Sequence, residues 1–255
     1  KNPLTARVIV NHVWLRHFGE PLVETVDDFG LRAKPPPQQI LLDHLAADFV
    51  ENGWSFRYLH RLIVTSKTYR LSSHSTGPDA KNKANDPNNR FYWRMNVQRM
   101  DAQVVRDSLI YLAGALDLTL GGPSLNPDDA VSRRSIYFKH SRDQQDKFLK
   151  TFNDADHLQC YRRSESIVPQ QALALSNGKV PIEMAAKIAG LINGEDFVGM
   201  AFELLLGRRP DVAERRECEM TLADLEAAAT KAKKPNPIER ARRGLVHALL
   251  NHNDF

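Results

Sequence analysis

The stretch Pro35-Pro36-Pro37-Gln38-Gln39-Ile40-Leu41-Leu42-Asp43-His44-Leu45-Ala46-Ala47-Asp48-Phe49-Val50-Glu51-Asn52-Gly53 decides the fold class. Leu41, Leu42, Leu45, Ala46, Phe49 and Val50 recur as doublets at the 3.6-residue period, which predicts an amphipathic helix with one apolar stripe. The prolines mark its start. Asn52-Gly53 marks its stop, because both residues accept the left-handed backbone that ends helices. Working outward, an earlier helix opens at Asn2-Pro3 or at Thr5, places Val8, Trp14, Leu15 and Phe18 at roughly helical spacing, and ends at Gly19. A third follows Ser55, a good N-cap, with Leu59, Leu62, Ile63 and Tyr69 along one side. Short links make the three antiparallel neighbours.

Residues 20–30 read as a loop turning at 27–30, and residues 72–87, with Gly77-Pro78, read as an exposed loop. From Asp86-Pro87 the longest helical pattern runs to about Leu116. Val105, Leu109, Leu112 and Leu116 form its apolar stripe, and Asn96, Arg99, Gln103, Arg106 and Asp107 fall opposite. Residues 121–129 read as a loop. Residues 135–140 are short, aromatic and β-branched, and predict a strand with 22–25 as its partner. Helical patterns follow at 169–176, 181–192, 197–206 and 211–230, then a linker at 231–237 and a last helix carrying Ile238, Leu245, Leu249 and Leu250. The expected fold class is mainly α, a compact multi-helix domain with at most a small β element near 135–140. One domain spanning 1–255 is expected, with any internal division into 1–120 and 121–255.

The 255 residues are 42% hydrophobic and 26% charged, which excludes collagen-like, low-complexity and wholly disordered chains. No apolar run approaches the ~20 residues that span a bilayer. No charged-then-apolar leader opens the chain, and Lys1 in place of Met reads as a piece excised from something longer. Net charge is +4, from 35 Lys plus Arg against 31 Asp plus Glu. The basic clusters Arg133-Arg134, Arg162-Arg163, Arg208-Arg209, Lys231 to Lys234 and Arg240 to Arg243 alternate with the acidic stretches 43–51 and 211–219. They read as solvated or salt-bridged faces.

Cys160 and Cys218 match no metal or redox spacing, and whether they pair is a matter of geometry. Cys-x-x-Cys-His is absent, so this chain cannot itself attach a c-type haem. His12 and His17 are five apart and share no helical face as zinc ligands would, and no metal site is expected. Gly-x-Ser-x-Gly, Walker and Gly-x-Gly-x-x-Gly patterns are absent, which disfavours ordinary serine hydrolase, P-loop and Rossmann chemistry. A glycosidase needs only two suitably spaced carboxylates, and the sequence neither excludes nor supports a pair.

The candidate ligand-binding residues are Arg99, Gln103, Arg106 and Asp107 on the polar helix face, and Arg133, Arg134, Tyr137, Arg162 and Arg163 around the aromatic segment. The helix face reads either as a ligand floor or as a solvent side. The arginines offer bidentate donors to an anion, or pair with Asp154, Asp156 and helix carbonyls. Trp14, Trp54 and Trp93 read as core rather than as stacking platforms.

Several motifs in order carry a resemblance: Asn2-Pro3-Leu4-Thr5-Ala6-Arg7-Val8 with Asn11 and Trp14, Phe18-Gly19, Asp28-Phe29-Gly30, Gly53-Trp54-Ser55 and Ser66-Lys67-Thr68-Tyr69-Arg70. Asp86-Pro87 with Asn89-Arg90, Arg106-Asp107, Gly121-Gly122-Pro123, Arg133-Arg134-Ser135-Ile136-Tyr137, Pro169-Gln170-Gln171-Ala172-Leu173 with Asn177, and Leu249-Leu250-Asn251 with Asp254-Phe255 continue it. Together they resemble the planctomycete-specific C-terminal domain of large exported proteins, a domain of unknown function. His12, Met100, the run 161–166 and Asp254 are mild departures. The resemblance implies export to the periplasm or cell surface. It also implies a second planctomycete-specific domain as neighbour and haem c on a linked cytochrome-type module. It supplies no catalytic residue.

Three functional readings follow. The first is a helical module binding polysaccharide, a partner or neighbouring domains. The second is an enzyme acting on complex polysaccharide together with a linked cytochrome domain, which needs Arg99, Asp107, Arg133 and Arg134 to converge in a cleft. The third, the least favoured, is a nucleic-acid binder, which needs the arginine clusters on one face and a steep salt dependence.

Overall fold

The structure, a computed structural model, describes every residue except 1, 27, 74–79, 128–131, 157, 159–162, 164 and 165. The described residues form eleven α-helices and no sheet, so the mainly α class holds. None of these helices is long and apolar enough to cross a membrane. They group into two units, residues 1–99 and 100–255.

The first unit contains α1 (Leu4–Phe18), α2 (Gln39–Glu51), α3 (Phe56–Val64) and the short α4 (Ala80–Asn85). Asn2 Oδ1 accepts the Leu4 N–H at 2.9 Å and opens α1. Gly19, at φ 78°, closes it in the left-handed conformation that other residues resist. α2 begins and ends where its sequence pattern does. Ser55 caps α3 by accepting from Tyr58 N. The facing stripes bring Val10, Phe18, Leu42, Phe49, Leu59 and Ile63 into one core. Each large side chain removed from water there contributes about 1.5–3 kcal/mol. Trp14 is buried with them, while Trp54 is 42% exposed and Trp93 half-buried.

Residues 22–25 are not a strand. Leu22, Val23 and Val26 are buried, but the backbone of Val23 is held by a side chain. The fully buried Asn11 donates Nδ2 to Val23 O at 3.1 Å and accepts Val23 N–H on Oδ1 at 2.9 Å. An amide presents one donor and one acceptor in the same arrangement as a strand neighbour, so one residue of α1 does the work of a β partner.

The long helix read from 86 to 116 is also corrected. Only α5 (Ala102–Leu112) is helical. Before it, the Asp86 carboxylate accepts the N–H groups of Arg90 and Phe91 at 2.9 and 2.8 Å. The buried Asn89, at φ 52°, bonds Arg94 on both sides of its amide. Short polar side chains that capture nearby backbone groups compete with helix hydrogen bonds, and here they win.

The second unit adds α6 (Lys147–Thr151), α7 (Pro169–Asn177), α8 (Lys179–Leu191), α9 (Phe197–Leu206), α10 (Val212–Lys231) and α11 (Pro237–Leu249). α5 belongs here, so the internal boundary follows Arg99 rather than residue 120. Leu109, Ile188, Phe202, Val246 and Leu250 form the centre of its main core. α10 has no fully buried residue and lays Cys218 and Leu222 against that core. Cys218 is a free thiol, and Cys160 lies outside the described residues.

The strand predicted at 135–140 is instead a single 3-10 turn, Ser135–Tyr137, flanked by isolated bridges. Phe138 pairs with Leu125, and Arg133 with Asp117, not with 22–25. Phe138 does face a core, whereas Ile136 is open to solvent, and among the described residues no neighbouring strand exists to propagate a ladder.

Candidate functional site

α5 displays Gln103, Asp107 and Tyr111 at four-residue spacing, which stacks them on one helical face. That face is one side of a cleft of about 560 Å³ within the second unit. Residues 134–136 and 138–140 form part of the lining, and Asp146, Leu149, Asp154 and Arg163 are also part of it. Its size is that of a small-ligand site. Tyr111 and Ile136 lie mostly open to solvent in it, at 61% and 69% exposure.

Beneath the cleft, Arg106 is buried and holds the local structure together. Its Nη1 donates to Asp107 Oδ1 (3.2 Å), Arg133 O (3.1 Å) and Ser135 Oγ (3.2 Å). Its guanidinium lies 4.5 Å over the Phe138 ring. Burial lowers its proton affinity from the ordinary arginine value, and the Asp107 and Asp146 charges oppose that. Asp107 in turn accepts the Ser135 hydroxyl at 2.6 Å and the Ser135 N–H at 3.0 Å.

A second network forms the opposite part of the lining. Arg163 Nη1 donates to Gln103 Oε1 at 2.7 Å, and its Nε lies 3.3 Å from Asp101. Gln103 Nε2 donates to Asp154, which also accepts the Ala155 N–H at 2.7 Å. The other oxygen of Asp154 lies 3.5 Å from His140 Nδ1. Arg163 and Asp101 therefore offset each other in this part of the cleft, and the planar groups of Gln103 and Asp154 are fixed by their neighbours.

The candidate residues thus separate. Gln103, Asp107, Arg134 and Arg163 line the cleft. Arg106 lies under it. Arg133 and Tyr137 shape the loop at 117–123: Arg133 donates to Gly121 O at 2.7 Å and to Thr119 O, and stacks 4.3 Å over Tyr137. The Tyr137 hydroxyl accepts the Gly121 N–H at 3.0 Å. Arg99 lies in the first unit, on the irregular segment before α5, so it shares no helical face with Gln103. Arg162 lies outside the described residues. Sequence reasoning missed Tyr111, His140, Asp146 and Asp154 as lining residues. The spacing 103, 107, 111 carried the first, whereas His140 and Asp154 meet only through tertiary folding.

Among the described residues, no group of three or more His, Cys, Asp or Glu could hold a metal ion. No curated protein and no solved structure matches the chain significantly. A family model described as PSD1, protein of unknown function (DUF1553), matches residues 1–222. With that match spanning most of its length, the chain belongs to the PSD1 family of proteins of unknown function.

Proposed function

We propose that the second unit is a ligand-binding module whose cleft takes a neutral, hydroxyl-rich ligand, a segment of polysaccharide. One observation carries the reading: the exposed Tyr111 ring shares a cleft with planar polar side chains, among them Arg163 paired with Asp101 and the Gln103 amide held between Arg163 and Asp154. Saccharides offer an apolar ring face together with hydroxyls that both donate and accept. An aromatic face with amide, carboxylate and guanidinium edges complements both. A near-neutral lining gives no advantage to a highly charged ligand.

The test is titration of the protein with a panel of neutral oligosaccharides, followed by calorimetry. Saturable binding that weakens at least tenfold in Tyr111→Ala and Gln103→Ala supports the reading. Absence of binding across the panel overturns it.

A second reading, catalysis on the bound saccharide, draws on the His140–Asp154 pair. An imidazole oriented by a carboxylate is equipped to move a proton. His140→Asn would then abolish turnover and leave binding intact. The wider setting rests on the motif resemblance alone: neighbouring domains in the same protein, haem c on one of them, and a periplasmic or cell-surface location.

A further inference from the structure

We infer that the corner joining α10 to α11 is a second, separate binding surface, for a polysaccharide bearing carboxylate or sulfate groups. Residues 231–243 carry Lys231, Lys233, Lys234, Arg240, Arg242 and Arg243 against one carboxylate, Glu239. Six cations less one carboxylate give +5, more than the +4 of the whole chain, so the remainder is net −1. Within the second unit, this segment carries six cations in thirteen residues.

At the neighbouring helices α9 and α10, three arginines are paired with carboxylates. Arg208 pairs with Glu214 and Asp254, Arg209 with Glu203, and Arg215 with Asp196. At the corner, none of the six cations forms a salt bridge among the described residues. Arg240 Nε donates to Pro235 O at 3.0 Å, and Arg242 lies 4.7 Å over the Phe197 ring. Glu239 is turned onto Asn236 Nδ2 at 2.8 Å. Charges left uncancelled on a surface project a field that attracts polyanions.

The corner is also shaped. A groove of about 540 Å³ runs between the end of α8 and the first turns of α11, lined by Arg240, Arg242, Arg243, Asn193, Asn236 and Gly190 among others. The helices behind it meet closely, since a Cβ on Gly244 would fall 2.9 Å from Leu225 Cδ1. Guanidinium forks match carboxylate and sulfate oxygens in pairs, and the two amides address hydroxyls between the charges. No aromatic side chain lines the groove, so the stacking that holds single-stranded nucleic acid is missing.

The experiment measures binding of the protein to polygalacturonate and to heparin at low and raised salt, with single-stranded DNA and neutral dextran alongside. Binding to at least one acidic polysaccharide is expected, weakening with salt as exposed charge pairs do. Arg240→Gln with Arg243→Gln should weaken it about tenfold at unchanged melting temperature, because both side chains are exposed. Lys231→Gln, Lys233→Gln and Lys234→Gln together, away from the helix packing, should act in the same direction. Tyr111→Ala should leave it intact, which separates this surface from the cleft. No binding to either polysaccharide, no effect of the corner variants, a loss in Tyr111→Ala, or equal affinity for DNA would each overturn the assignment.

Discussion

Asp107 accepts both polar hydrogens of Ser135: the hydroxyl reaches Oδ1 at 2.6 Å and the backbone N–H reaches both oxygens at 3.0 Å. The same carboxylate faces the buried guanidinium of Arg106, whose side chain is only 5% exposed. One acid thereby ties α5 to the turn that lines the cleft and balances a buried charge.

Removing that acid takes the hydrogen-bonded carboxylate from the buried Arg106 and leaves Asp146 as the other charge that favours it. Asp107→Ala should lower stability by about 3 kcal/mol, the order expected when half of a buried pair is deleted. Asp107→Asn retains an acceptor for Ser135 and should lose roughly 1–2 kcal/mol. Urea unfolding of the two variants checks both values. A loss below ~1 kcal/mol in the alanine variant would show that water already screens the pair.

Asn11 offers a test in which pH reverses the outcome. A neutral carboxyl in Asn11→Asp can donate to Val23 O and accept from Val23 N–H, as the amide does. The ionised form is a buried charge facing a carbonyl oxygen. The folded state therefore raises this carboxyl above its unfolded value of about 3.9. Its proton-linked stability is fully present below that unfolded value and is lost as pH rises through the folded one. The melting-temperature deficit of Asn11→Asp should be small near pH 4 and large at pH 7. An equal deficit at both would refute the clasp.

Side chains such as Asp107 and Asn11 also mark where sequence reading stops. The stripe of α2 was legible because burial repeats with the helix period, and the bounds of α9 were read correctly for the same reason. Residues 86–101 carried helical spacing too, but Asp86 and Asn89 divert the backbone with local hydrogen bonds that periodicity does not register. At the site, Gln103 and Asp107 were visible on one helix face. Arg106 looked equally polar, yet it is buried, because Asp107 and Ser135 satisfy it from opposite sides of a 28-residue separation. His140 and Asp154 belong to no shared element, so no spacing rule pairs them.

The Arg208 fork predicts a titration shift. Arg208 donates to both oxygens of Glu214 at 2.7 and 2.8 Å and to Asp254 at 2.7 Å. Arg208 and the Asp211 N–H hold the Glu214 carboxyl down at about 2, from an ordinary 4.5. A depressed carboxylate adds stability above its unfolded value and loses it as pH falls toward the folded one. The window is therefore about 4.5 down to about 2. In Arg208→Ala, carboxyl NMR should find Glu214 titrating higher, moved toward its ordinary value, with the Asp211 N–H keeping part of the depression. An unmoved titration would mean that the helix N-terminus alone depresses it.

Leu45 and Val50 share the α2 stripe in sequence but not in space. Leu45 is 5% exposed and touches the core, whereas Val50, in the last turn, is 39% exposed. The helix end turns its final residues outward as Asn52 and Gly53 reverse the chain, so the apolar period outlasts the surface it can cover. Leu45→Ala should cost about 2–5 kcal/mol, combining lost transfer energy with a cavity between α2 and its neighbours. Val50→Ala removes atoms already partly in water and should cost under about 1 kcal/mol. Equal losses in chemical denaturation would mean that the stripe is buried along its full length and that α2 packs in a different register.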